Sequence, residues 1–191
     1  MKLDQEQLRR NGAAYADSKG IVVDFQAPFG EGQDGTVWPT SRGSALKLFY
    51  RPENYEDERN CYLILKAANV EKVGSLNVPK LVDYDDSFLA IEMGMIKPPR
   101  LLDFGKVHLH RPPPYWDDQR IMARFHGDGY RDFGEHWPEV LTALGELQQL
   151  GIYYTDPKIG NILFGDEKDN DDWAREPELD YGEYEDRADG Q

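Results

Sequence analysis

Between Ile21 and Ile96, runs of strand-forming residues flank a single stretch of helical periodicity, and that order restricts the fold more than any other feature. Ile21–Phe25 (IVVDF) is a β-branched strand candidate, followed by the glycine-rich FGEGQDGTVW and a second strand through Val37 and Trp38. Ser44–Tyr50 (SALKLFY) alternates, with Ala45, Lys47 and Phe49 on one face and Leu46 and Leu48 on the other. RPENYEDERNCYLILKAANV has a proline near its start and apolar residues at Cys61, Tyr62, Leu65 and Ala68, which is helical spacing. VPKLVDYD and SFLAIEMGMI then read as two strands joined by a turn at Asp85-Asp86-Ser87. The expectation is five strands with one helix inserted after the third.

Lys97–Arg100 (KPPR) interrupts that pattern and reads as a connector. The region containing HRPPPYWDD is loop-rich. HWPEVLTALGELQQLGIYY then carries an apolar stripe at Val140, Leu141, Leu144, Leu147 and Leu150, with Gly151 placed to end the helix. The first twenty residues are polar and read as a short helix or arm.

Composition narrows the partners. The 191 residues hold 36 Asp plus Glu against 22 Lys plus Arg, a net charge of −14. That balance opposes nucleic acid and anionic membrane surfaces, which require clustered positive charge. From Asp166 onward there are twelve acids and three bases, the composition of a solvated segment. Cys61 is the only cysteine, so an internal disulfide and cysteine-based zinc sites are excluded. MKLDQEQLRRNG lacks the apolar run of a secretory signal and no stretch has transmembrane length, so a cytoplasmic setting is expected.

Three segments carry chemistry. GEGQDGTV matches G-x-G-x-x-G-x-V at Gly30, Gly32, Gly35 and Val37, and glycines allow a turn backbone to approach phosphates closely. A plain glycine hairpin has the same letters, so this segment decides nothing alone. A dinucleotide-binding reading needs a helix straight after the glycines, whereas a strand follows. Lys47, on the third strand beside Ala45, can reach phosphates under such a loop. Glu58 is the residue placed to brace it, because Cys61, Tyr62 and Leu65 follow at three, four and seven residues and turn its helix face inward. Glu53 and Glu56 read as solvent-facing.

TDPKIGNILF is the third segment and the most specific. Asp156 can accept a proton from an incoming hydroxyl, Lys158 can stabilise charge on a transferring phosphoryl group, and Asn161 can ligate magnesium. A polar turn between helix and strand is the competing reading, disfavoured by the D-x-K-x-x-N spacing and the apolar strand that follows.

Taken in order, these segments resemble the protein kinase-like superfamily over residues 21–182. The resemblance implies an α+β, bilobal protein-kinase-like fold, with a five-stranded antiparallel N-lobe sheet plus one helix and a truncated helical C-lobe. The implied divisions are an N-terminal arm (1–20), an N-lobe (21–97), a C-lobe with the catalytic loop (98–182) and an acidic tail (183–191). Val37 and Ala45 would roof an adenine, and Ile91 to Gly94 would border it, with Glu92 and Gly94 offering backbone groups to its edge. ATP and Mg2+ are the implied cofactors, and a protein serine or threonine hydroxyl the implied acceptor. Two alternatives stand beside this: a catalytically inactive nucleotide- or partner-binding module, and a nucleotidyl transferase. The sequence departs from the family where His-Arg-Asp is replaced by Tyr154-Thr155-Asp156, and only nine residues follow Gly182, so a truncated lower lobe resembling a minimal bacterial-type kinase is expected.

The family's Asp-Phe-Gly metal signature has three copies here: Asp103-Phe104-Gly105, Asp132-Phe133-Gly134 and the near copy Asp180-Tyr181-Gly182. Order within the family places this aspartate on the strand after the catalytic loop. That rule selects Asp180 as the metal ligand beside Asn161, with Asp166 and Asp172 in reserve. It assigns Asp103 and Asp132 to caps or turns, with Phe as core anchor and Gly as permissive backbone. FHGDGYRD (Phe125–Asp132) mimics an antibiotic-kinase catalytic loop but has Phe133 where asparagine is required.

Overall fold

A computed structural model describes residues 2–165. Its central element is the expected five-stranded antiparallel sheet. β1 (Gly30–Glu31), β2 (Gly35–Pro39) and β3 (Ser44–Phe49) lie in succession, followed across the sheet by β7 (Ala90–Gly94) and β6 (Leu81–Asp85). The order β1-β2-β3-β7-β6 places β3 at the centre, and all six of its residues are buried. Period-two alternation explains this, because the strand feeds two separate cores. Ala45 and Phe49 enter the larger core with Ile91 and Met93, while Leu46 and Leu48 enter a second with Trp38 and Ala90.

Helix α2 (Pro52–Ala67) covers the first face through Tyr55, Glu58, Cys61, Tyr62 and Leu65, the stripe expected from its spacing. Helix α1 (Gln5–Lys19) covers the second face, and this is a finding beyond the short helix or arm expected for residues 1–20. The Asp4 side chain accepts from the Gln7 N–H to start it, and Gly20 ends it at φ 62°. Leu8, Tyr15 and Ala16 supply its buried stripe, and Gly12 allows close approach, since a Cβ there would lie 2.6 Å from Leu48 Cδ1.

Ile21–Phe25 is not a strand. Val23 makes one isolated bridge to Thr40, and the sheet's outer strand is the two-residue β1. Two residues carry no periodicity, so the strand count is as expected although its first member lies elsewhere.

Below the sheet, short strands do most of the organising. β4 (Lys72–Val73), β5 (Leu76–Asn77), β8 (Arg100–Leu101) and β11 (Ile162–Leu163) form a four-stranded sheet in the order β11-β8-β5-β4. β9 (Val107–Leu109) pairs antiparallel with β10 (Ile152–Tyr154). The region expected to be loop-rich contains a 15-residue helix, α3 (Gln119–Phe133), whose first N–H groups are capped by Asp118. Helix α4 (Trp137–Gln149) is the expected amphipathic helix. It buries Trp137, Val140, Ala143, Leu144 and Leu147, and Gly151 at φ 79° turns the chain into β10. Among the described residues no helix is long and apolar enough to cross a membrane.

Candidate active site

A cavity of about 620 Å³ lies between the five-stranded sheet and the β8–β11 region. Its roof is the β1–β2 hairpin, closed by Gly32 N–H donating to Gly35 O at 2.9 Å. Gly30, Gly32, Gly35, Val37, Ala45 and Lys47 all line it. The three glycines have different causes. A Cβ at Gly35 would fall 2.1 Å from Leu48 O, so that glycine is required by packing against β3. A Cβ at Gly30 would meet nothing within 4 Å, and one at Gly32 nothing closer than 3.9 Å. Neither has a positive φ. Protein packing and positive φ therefore do not require glycine at Gly30 or Gly32, and both leave open space at the hairpin backbone.

Lys47 sits deeper, 6% exposed, with Val37 opposite it on β2 and Ile91 on β7. Its Nζ donates to Glu58 Oε2 at 2.7 Å and to Asp103 Oδ1 at 3.0 Å. Glu58 is fully buried on α2, as its position in the stripe requires. Burial disfavours the Lys47 charge, but the Glu58 and Asp103 carboxylates outweigh it and hold the ammonium above its ordinary value. Burial pushes the Glu58 carboxyl up against the opposing pull of Lys47. Burial also acts to raise Asp103, but Lys47 and the Gly105 N–H hold it below the usual carboxylate range.

Asp103 makes the turn that the sequence reading assigned to it, with Phe104 as the buried anchor, and it also enters the site, which the sequence reading did not expect. It lines the cavity in contact with Lys47, and Gly105 N–H donates to its Oδ1 at 2.7 Å. The pairing of β8 with β11 places it there. Leu101 lies opposite Ile162, Arg100 opposite Leu163, and Leu102 N–H donates to Asn161 O at 2.9 Å. In an antiparallel pair, the residues just past one strand meet those just before the other, whichever strand comes first in the chain. Phe104 is fully buried, packed edge-on between Tyr62 of α2 at 5.4 Å and Tyr154 of β10 at 6.2 Å. Asp132 lies on the last turn of α3, paired with Arg131, and Phe133 packs on Trp137. Asp180, Asp166 and Asp172 lie outside the described residues.

The Asp156 loop closes the cavity from below. Asn161 Nδ2 donates to Tyr154 Oη at 2.8 Å and to Asp156 O at 3.1 Å, which fixes the loop's curvature. These bonds use the amide nitrogen, so the Asn161 side-chain oxygen is the atom suited to a cation. Lys158 Nζ lies 2.9 Å from Asp156 Oδ2, and Lys106 Nζ lies 3.6 Å from the same oxygen. Asp156, Lys158 and Asn161, read from one short segment, therefore share one cavity with Lys47.

The border expected at Ile91 to Gly94 is displaced. Ile91 is buried in the larger core, and the Glu92 side chain faces α1, accepting from Tyr15 at 2.9 Å and from Ser44 at 2.5 Å. Glu92 lies opposite Leu46, whereas Met93 lies opposite the cavity residue Ala45, so strand alternation turns the Glu92 side chain away, which leaves the backbone role expected of it untouched. Gly94 lines the cavity, but its N–H is donated to Lys80 O. Met93, Gly94, Met95 and Ile96 form the actual border. Sequence reasoning also missed Asp34, Arg100, Gly105 and Lys106, which line the cavity. The Asp-Phe-Gly triplet was the available signal for Gly105 and Lys106.

No family model and no curated protein matches the chain. Among solved structures, one similar chain is that of the streptomycin–ATP–APH(2")-IIa ternary complex, at 18% identity and a TM-score of 0.35. The match covers 51% of this chain and 30% of that one.

Proposed function

We propose that the protein is an ATP- and magnesium-dependent phosphotransferase of the protein-kinase type. The observation that carries this reading is the Lys47 ammonium, bridging Glu58 and Asp103 in the cavity that Asp156 and Asn161 close from below. A buried lysine braced by a helix carboxylate, under a glycine hairpin, is suited to hold a polyphosphate. The apolar part of the cavity, formed by Val37, Ala45, Met93 and Leu102, suits a flat base.

Asp103 and the Asn161 side-chain oxygen are the residues that would hold magnesium. One carboxylate and one amide oxygen, completed by phosphate and water, match the hard oxygen donors this ion takes. Bound there, magnesium would neutralise phosphate charge. This proposal takes Asp103 for the position that the sequence reading gave to Asp180, which lies outside the described residues.

In the proposed reaction, a hydroxyl of the acceptor transfers its proton to Asp156 as its oxygen bonds to the γ-phosphorus. The bond from that phosphorus to the β–γ bridging oxygen breaks, and ADP leaves. Lys158 stabilises charge on the group in transit. The acceptor in this reading is a protein serine or threonine. Asp156 keeps 25% of its side chain exposed, which leaves it open to such a hydroxyl.

The test is incubation with ATP labelled at the γ-phosphate, magnesium and a cell lysate. The parent protein is expected to transfer label and Asp156→Ala to lose it; equal transfer by both sinks the reading. In a parallel incubation with ATP labelled at the α-phosphate, transfer of that label alone would instead indicate nucleotidyl transfer.

A further inference from the structure

We propose that Lys106 is a second catalytic cation, acting with Lys158 on the phosphoryl group in transit; this rests on the phosphotransferase reading above. Lys106 and Lys158 approach one oxygen of Asp156, at 3.6 and 2.9 Å, from segments 52 residues apart in number. A single carboxylate cannot neutralise two ammonium groups, so one positive charge remains at the cavity mouth beside the acceptor's proton-accepting group. That excess is local to Asp156, since over the whole lining the charges balance, in a chain of net charge −14. Lys47, Arg100, Lys106 and Lys158 line the cavity, equal in number to its acids Glu31, Asp34, Asp103 and Asp156. The cavity is thus far less acidic than the chain, as an anionic ligand requires.

The Lys106 ion pair does not account for this placement structurally. The side chains of Lys106 and Lys158 are 53% and 52% exposed, and pairs of that exposure contribute little to stability. What the fold does fix is the Lys106 backbone. Its carbonyl accepts from both the Thr155 N–H and the Thr155 hydroxyl, each at 3.0 Å. Thr155 thereby ties the residue after Asp103-Phe104-Gly105 to the residue before Asp156. The side chain stays long and mobile from an anchored base, so its ammonium can leave Asp156 for a closer anion. No bond to Lys106 forms or breaks in this role. It stabilises charge that is greatest in the transition state.

The test uses MgADP with and without aluminium fluoride, which mimics the phosphoryl group in transit, and so needs no acceptor. The parent is expected to bind MgADP more tightly when aluminium fluoride is present. Lys106→Gln is expected to bind MgADP alone within about twofold of the parent but to lose about tenfold or more of the aluminium fluoride gain. Lys106→Arg should retain most of that gain. An undiminished gain in Lys106→Gln overturns the proposal. A parallel loss of MgADP binding also overturns it, because Lys106 would then be holding the ground state. So does a parent that binds MgADP yet gains nothing from aluminium fluoride. A parent that fails to bind MgADP overturns the nucleotide reading of the cavity itself, and Lys106 falls with it.

Discussion

Asp103 and Glu58 share one ammonium, and the two carboxylates respond to that in opposite directions. Burial raises Glu58, whereas Lys47 keeps Asp103 ionised, so a single positive charge serves a bracing residue and a candidate metal ligand together. Removing the shared partner leaves two carboxylates without a counter-charge, Glu58 fully buried and Asp103 half-buried. Lys47→Met is therefore expected to destabilise the protein by about 3–5 kcal/mol, measured by urea unfolding. The sign with pH follows from Glu58. Its folded-state pKa lies above the unfolded value of about 4.3, so the folded form holds an extra proton and loses stability as pH rises through that window. Without Lys47 that window widens, and the mutational loss should be larger at pH 8 than at pH 5. Asp103→Asn is a different case, because Glu58 still pairs with Lys47. It is expected to lower phosphoryl transfer by about 10²-fold or more while unfolding near the parent's denaturant midpoint. Transfer within about twofold of the parent would exclude Asp103 from the metal site.

At the scale of elements, the glycine hairpin separates packing from ligand binding. Gly35→Ala forces a Cβ onto the Leu48 carbonyl and is expected to cost about 1–3 kcal/mol of stability. Gly30→Ala and Gly32→Ala meet open space, so they should leave the melting temperature unchanged and weaken nucleotide binding. Helix α1 supplies the converse. Leu8 is fully buried in the second core, on the sheet face opposite the cavity's Ala45 and Lys47. Leu8→Ala is expected to cost about 2–5 kcal/mol without changing the affinity of the folded protein for MgATP. α2 and α4 were legible because their stripes run for 13 or more residues, and β3 because it is a short apolar run buried on both faces. β1, β4, β5, β8 and β11 have two residues each, too few to show any period. Helix α3 was missed behind the prolines of HRPPPYWDD, with only Gly129 and Phe133 buried on it.

For the whole molecule, the cavity is the meeting place of segments that are distant in the chain, and ligand binding should stabilise all of them at once. MgATP at 100 times its dissociation constant is expected to add about 2.7 kcal/mol, seen as a rise in melting temperature. Asp156→Ala should keep that rise while losing transfer, since Asp156 acts on the acceptor; loss of both would mean the loop had collapsed. The sequence by itself determined the sheet's central alternation, the inward placement of Glu58, and the D-x-K-x-x-N loop between α4 and β11, because each depends on dihedral periodicity or spacing within a few turns of chain. Only the tertiary structure decided, between the two Asp-Phe-Gly copies among the described residues, which one meets that loop. β8 and β11 are two-residue strands some sixty positions apart, joined by the pairings Leu101–Ile162 and Arg100–Leu163. Backbone hydrogen bonding makes neighbours of segments regardless of their order, and so Asp103, which precedes the loop, stands beside Lys47.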